Sequence, residues 1–72
     1  MAQPPNERVV GIIRAYYPLR GYGFIRRASG KDVFFYRTSA ASESDIVEGT
    51  VVTFLLEASE KGPRAVDLRR QI

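Results

Sequence analysis

Tyr22-Gly23-Phe24-Ile25-Arg26-Arg27, then Ala28-Ser29-Gly30-Lys31, then Asp32-Val33-Phe34-Phe35-Tyr36: this stretch decides the fold of the 72-residue chain. Two short runs rich in aromatic and β-branched residues flank a polar segment that contains a glycine, the pattern of a β-hairpin. Side chains alternate between the faces of a strand, so residues i and i+2 share one face. Tyr22 and Phe24 therefore point one way and Ile25 the other, while Phe34 and Tyr36 oppose Val33 and Phe35. Ile25, Val33 and Phe35 make a wall for a core. If that wall is the core, Tyr22, Phe24, Phe34 and Tyr36 are left facing water; the alternative puts the rings inside and the aliphatic residues outside. Two of the rings are tyrosines, which fits the first arrangement, because a buried tyrosine must find a partner for its hydroxyl.

Outward from this hairpin the chain reads as further short strands. Val9 to Tyr17 is rich in β-branched and aromatic residues and is stopped by Pro18, with a turn over Pro18 to Gly21. Thr50 to Leu56 makes a fourth strand, Glu57 to Pro63 a polar turn, and the alternating Arg64 to Arg69 a fifth. Thr38 to Gly49 reads as a loop with one helical turn near Ser44 to Val47. Residues 1–7, polar and bearing two prolines, read as a flexible tail, which leaves residues 8–72 as one domain. Five strands in so short a chain cannot build two packed sheets, whereas a closed barrel buries one face of each and leaves no edges. The expected class is all-β, a five-stranded antiparallel OB-type barrel. An SH3-like barrel is the alternative that strand counting leaves open.

Composition narrows the function. The chain has no cysteine and no histidine, so disulfides, thiolate sites and the commonest general base are absent. No cofactor or metal is expected, and no catalytic pairing stands out: serines lack a base, and Gly21-Tyr22-Gly23 has no following helix to cradle phosphate. The start has no apolar signal-peptide core, and no run approaches the ~20 apolar residues of a membrane helix. A cytoplasmic monomer without membrane or small-molecule partners is the expectation. The net charge of +3 is unevenly placed: residues 1–37 hold seven basic residues and two acids, residues 38–72 four basic residues and six acids. Nearly all the basic residues are arginine, which forks onto phosphate and stacks on flat surfaces.

Rings interleaved with arginines suit a single-stranded nucleic acid, because bases stack on rings while cations follow the phosphates. Arg14, Arg20 and Arg37 fall near the aromatic strands, and Gly23 between two rings would let a flat ligand approach the backbone. The alternative is a protein-interaction module or a structural subunit that uses the aromatic face for a protein partner. An SH3-like peptide site would favour acids beside its rings, and here the neighbours are arginines.

Several blocks resemble those of cold-shock domains. Arg20-Gly21-Tyr22-Gly23-Phe24-Ile25 is similar to the family's first ribonucleoprotein motif, and Asp32-Val33-Phe34-Phe35-Tyr36 to its second. Gly11 to Arg14, Glu48-Gly49 with Val52-Thr53-Phe54, and Lys61-Gly62-Pro63-Arg64-Ala65 match in order, so the resemblance runs from about Val9 to Leu68. It implies a barrel that binds single-stranded RNA and DNA, as an RNA chaperone or a regulator of transcription or translation. By position it implies binding rings at Tyr22, Phe24 and Phe34, with Tyr36 in place of a stacking histidine. Tyr16 takes the aromatic position of the first strand. Arg14 and Arg20 stand at family lysines, and Lys61 and Arg64 lie in a loop bordering the groove.

The departures are informative. Ala15 stands where the family has a tryptophan, Tyr17 where it has an asparagine, and Arg37 where it has a phenylalanine. The loop from Ala40 to Val47 lacks the aromatic that many members carry, and Glu43, Asp45 and Glu48 would repel phosphate if they faced the groove. Weaker binding than in a typical member, or a shifted base preference, is expected.

Overall fold

In the computed structural model, which describes residues 8–71, five strands follow one another as β1 (Val9–Tyr17), β2 (Tyr22–Arg27), β3 (Val33–Tyr36), β4 (Val51–Ser59) and β5 (Gly62–Arg70). The tail expected over residues 1–7 lies outside the described residues. The strands close into a barrel in the order β1-β2-β3-β5-β4. Four ladders are antiparallel, three of them between consecutive strands and the fourth between β1 and β4, and the ladder between β3 and β5 is parallel. The segment joining β3 to β4 makes a second parallel contact, with Ala40 bridging Leu68.

The barrel interior holds Ile13, Ile25, Val33, Phe35, Val52, Phe54, Ala65 and Leu68, with Ile46 from the β3–β4 segment added to them. Each inward residue of β2 and β3 follows from strict alternation. The stretch from Thr38 to Gly49, expected to be a loop with one helical turn, belongs to the segment that joins β3 to β4. That segment contains two 3₁₀ turns, Arg37–Ser39 and Glu43–Asp45, the second starting one residue earlier than expected. Ser42 begins that second turn, its hydroxyl accepting from the Ser44 backbone N–H. Between the turns and β4, Ile46 enters the core at 4% exposure.

The β4–β5 hairpin is longer than its polarity suggests. A turn was expected over residues 57–63, but pairing continues through Glu57 with Arg64, Ala58 with Pro63 and Ser59 with Gly62. The turn shrinks to Glu60-Lys61. Polar residues are tolerated there because both faces of this projecting end meet water.

Two irregularities shape the barrel. In β1 the register moves from Ile13 opposite Ile25 to Ala15 opposite Phe24, so Arg14 is an extra, bulged residue. Every residue of β1 beyond it changes face. In β5 a second shift lies opposite Thr53 to Leu55, where Asp67 adopts a left-handed φ of 51°. Arg8 holds this second bulge: its guanidinium donates to the Thr53 hydroxyl (3.0 Å) and carbonyl (2.9 Å) and to an Asp67 carboxylate oxygen (3.0 Å). Loss of hydration alone would raise the Asp67 carboxyl. The hydrogen bonds and charges of Arg8 and Arg69 outweigh it and hold the group below the ordinary carboxylate range. Asp67 tolerates its conformation because a short polar side chain visits the left-handed region more readily than most.

Candidate nucleic-acid interface

The outer face of the β2–β3 hairpin is aromatic. Tyr22 sits opposite Tyr36 and Phe24 opposite Phe34, while their in-strand neighbours Ile25, Val33 and Phe35 are fully buried. The rings hold one another edge-on or tilted. Phe34 is central, with centroid distances of 5.4 Å to Tyr22, 5.8 Å to Phe24 and 4.7 Å to Tyr36. Tyr22 and Phe24 meet at 6.1 Å and 86°. Offset and edge-to-face packing of this kind is the favourable arrangement for aromatic quadrupoles. It also fixes the ring orientations before any ligand arrives.

Two cations overlie this sheet. The Lys61 ammonium lies 5.8 Å from the Phe34 centroid and the Arg64 guanidinium 5.9 Å from that of Tyr36. The long β4–β5 hairpin carries Lys61 there, and the parallel pairing of Phe34 with Arg64 places the arginine. Arg64 is ion-paired with Glu57, and its buried Nε has no hydrogen-bond partner among the described residues. An open groove of about 370 Å³ runs along Tyr22, Phe24, Phe34, Tyr36 and Lys61. It continues into a space of about 230 Å³ between Phe34, Tyr36, Ser59, Glu60, Lys61 and Arg64.

The remaining expected site residues lie around this groove rather than in it. Arg14 protrudes from the β1 bulge and pairs with Asp32 at 3.2 Å. Arg20 projects from the exposed β1–β2 turn and makes no ion pair among the described residues. Arg37 opens the first 3₁₀ turn, where its backbone N–H donates to the Gly21 carbonyl at 2.8 Å.

Tyr16 does not join the outer rings. Beyond the bulge it turns toward the core, stacking on Phe35 at 6.1 Å and 22°. Its hydroxyl donates to Glu43 Oε2 at 2.7 Å. Loss of hydration, then the hydrogen bond to Glu43 and that residue's charge, push the hydroxyl above its ordinary value against the pull of Arg37. The outward position belongs to Tyr17, opposite Tyr22 with centroids 5.4 Å apart.

The expectation about Gly23 is corrected. Gly23 does not open the backbone to a ligand, because it faces inward, opposite Phe35 and Tyr16. A Cβ there would lie 2.3 Å from the Ala15 carbonyl oxygen and 2.7 Å from Phe35 Cζ. Glu43, Asp45 and Glu48, which would repel phosphate if they faced the groove, do not line it. Its lining acid is Glu60, with Glu57 held by Arg64.

Comparison with known proteins gives the family and the fold. Residues 9–71 match the family model of the 'Cold-shock' DNA-binding domain. The chain is 40% identical over 63 residues to the Retron Se72 cold shock-like protein of Salmonella heidelberg (strain 579083-10), covering 83% of this chain and 94% of that one. It is 32% identical over 66 residues to the cold shock-like protein CspA of Vibrio cholerae, covering 88% and 94%. Among solved structures, drosophila Unr CSD456 superposes with a TM-score of 0.77 at 24% identity. That match spans 92% of this chain and 27% of the other, and it is a likeness of fold.

Proposed function

Since this chain belongs to the 'Cold-shock' DNA-binding domain family, whose members bind nucleic acid rather than transform it, we propose that it binds single-stranded RNA or DNA on the outer face of β2 and β3 and acts as an RNA chaperone or a regulator of transcription or translation. The observation that carries this reading is the sheet of four interlocked, half-exposed rings with two cations above it. Unstacked bases lie flat on such rings at about 1–3 kcal/mol each. A duplex keeps its bases stacked on one another and offers the rings nothing. Stacking accepts any base, so sequence preference is expected to be modest.

The cations act on the phosphates. Lys61 and Arg64 now rest over ring faces that an arriving base would take, so both would swing toward the backbone of the ligand. Arg14 and Arg64 carry acidic partners, Asp32 and Glu57, which partly cancel their charge. The electrostatic share of binding is therefore modest for a protein of net charge +3. A protein partner on the same face has less to recommend it, because cations rather than acids sit over the rings.

The test is a titration of a labelled dT 12-mer across salt concentrations. Neutralising two or three phosphates gives a slope of log affinity against log salt of roughly −1.4 to −2.1, at about 0.7 per phosphate. Binding that is indifferent to salt, or no binding at low salt, would count against the reading.

A further inference from the structure

The β1–β2 turn carries exposed apolar surface that the four-ring sheet leaves unused. Tyr17, made outward-facing by the Arg14 bulge, is 44% exposed and continues the aromatic surface past Tyr22. Leu19 is fully exposed, at 103%, two residues further on. Together with Pro18 and Arg20 they line an open concavity of about 320 Å³. A lone exposed leucine needs no explanation, but an exposed leucine, a proline and a tyrosine ring in one concavity form a patch.

The turn is held in shape. The backbone N–H groups of Arg20 and Gly21 both donate to the Tyr17 carbonyl, at 3.0 and 2.8 Å, and Gly21 takes a φ of 77° that favours glycine. The backbone beneath the concavity is thus fixed, so a ligand would not have to order it on entering.

Charge points to the same end of the sheet. Arg20 borders the concavity and makes no ion pair among the described residues, whereas Arg14 and Arg64 are paired with acids. At the next position of β1 on this face stands Ala15, opposite Phe24, whose methyl group offers no stacking surface. Ring surface and a cation without an ion partner among the described residues therefore coincide at the turn, as they do where Lys61 lies over Phe34.

We infer that Tyr17 and Leu19 form an additional base-binding subsite of the single-strand path, with Arg20 on the adjoining phosphate. This rests on the single-strand reading above and extends it by one nucleotide across the β1–β2 turn. The strand leaves the sheet past Tyr22, over Tyr17, rather than across Ala15.

The test uses Tyr17→Trp, Tyr17→Ala, Leu19→Ser and Phe34→Ala, each titrated with dT 8-mer. The chain has no tryptophan, so the introduced indole is the only one and reports on its own position. Its emission is expected to be quenched on binding, with affinity kept or raised. Tyr17→Ala is expected to weaken binding at least about fivefold, the low end for one stacked base. Leu19→Ser, whose side chain the fold does not hold, is expected to weaken it about twofold to fivefold without a change in melting temperature. Tight binding with unmoved indole emission, or Tyr17→Ala and Leu19→Ser proteins that bind as the unaltered chain does, would overturn the subsite while a weakened Phe34→Ala protein leaves the wider reading standing. If the unaltered chain does not bind, or Phe34→Ala binds equally well, both fall.

Discussion

A Gly23→Ala protein is expected to melt roughly 4–24 °C below the unaltered chain. The cause is steric. The added Cβ would sit 2.3 Å from the Ala15 carbonyl oxygen and 2.7 and 2.8 Å from two atoms of the Phe35 ring. Neither neighbour can yield cheaply. The carbonyl belongs to the β1–β2 ladder, where Ala15 pairs with Phe24 and Tyr16 with Gly23. Phe35 is fully buried and stacked on Tyr16, so moving its ring disturbs both the core and the rim. Overpacking of this kind costs about 1–3 kcal/mol, sometimes more. In a domain this small, each ~1 kcal/mol moves the midpoint by about 4–8 °C. Thermal unfolding followed by circular dichroism reads the effect. An unchanged midpoint would mean that Gly23 faces outward, contrary to the register of β2.

Phe34→Ala is expected to weaken binding of a dT 12-mer by roughly tenfold to a hundredfold, within the range of ~1–3 kcal/mol for one stacked base. Phe34 has the greatest leverage because of its neighbours. It packs against Tyr22, Phe24 and Tyr36, and Lys61 lies over it. Its loss removes one stacking surface and the edge that orients three others. The side chain is half-buried on the outer face and the core behind it is made by Val33 and Phe35, so the variant keeps the barrel. Anisotropy titration together with a melting curve separates lost binding from lost fold. Equal affinity in a folded variant would move the site away from this sheet.

Much of this was legible in the residues, because alternation in short strands is a strong constraint. The outward set Tyr22, Phe24, Phe34 and Tyr36 and the inward set Ile25, Val33 and Phe35 follow from two unbroken strands. The same alternation puts Gly23 on the side of Ile25. The expectation that Gly23 would admit a ligand overlooked that signal, since a glycine has no side chain to announce its face. Tyr16 and Tyr17 are a different case. Their orientation depends on the Arg14 bulge, and an arginine in a strand carries no mark of being unpaired. The extent of the β4–β5 hairpin was hidden for a third reason. Glu57, Ala58 and Ser59 read as a turn by polarity, yet the ladder continues because hydrogen bonding between backbones is indifferent to exposed side chains. That extension decides the site, since it carries Lys61 over Phe34. Ile46 entered the core from a segment with no periodicity to reveal it.

The rings that the resemblance to cold-shock domains singles out on β2 and β3 share the outer face of that hairpin, but the resemblance does not say how the departures are accommodated. The structure answers in part. Ala15 leaves a gap opposite Phe24, Tyr17 fills the neighbouring row, and Arg37 turns to the end of the barrel near Tyr16 and Gly21. The aromatic surface is shifted along β1 rather than simply reduced.

The most direct measurement compares a labelled dT 12-mer with its duplex at low salt, by anisotropy, against the unaltered chain. Stacking on the outer sheet requires unpaired bases, so the single strand is expected to bind at least tenfold more tightly than the duplex. Equal affinity for both would show that the arginines alone attract the phosphates, and would contradict the claim that the aromatic sheet is the binding surface.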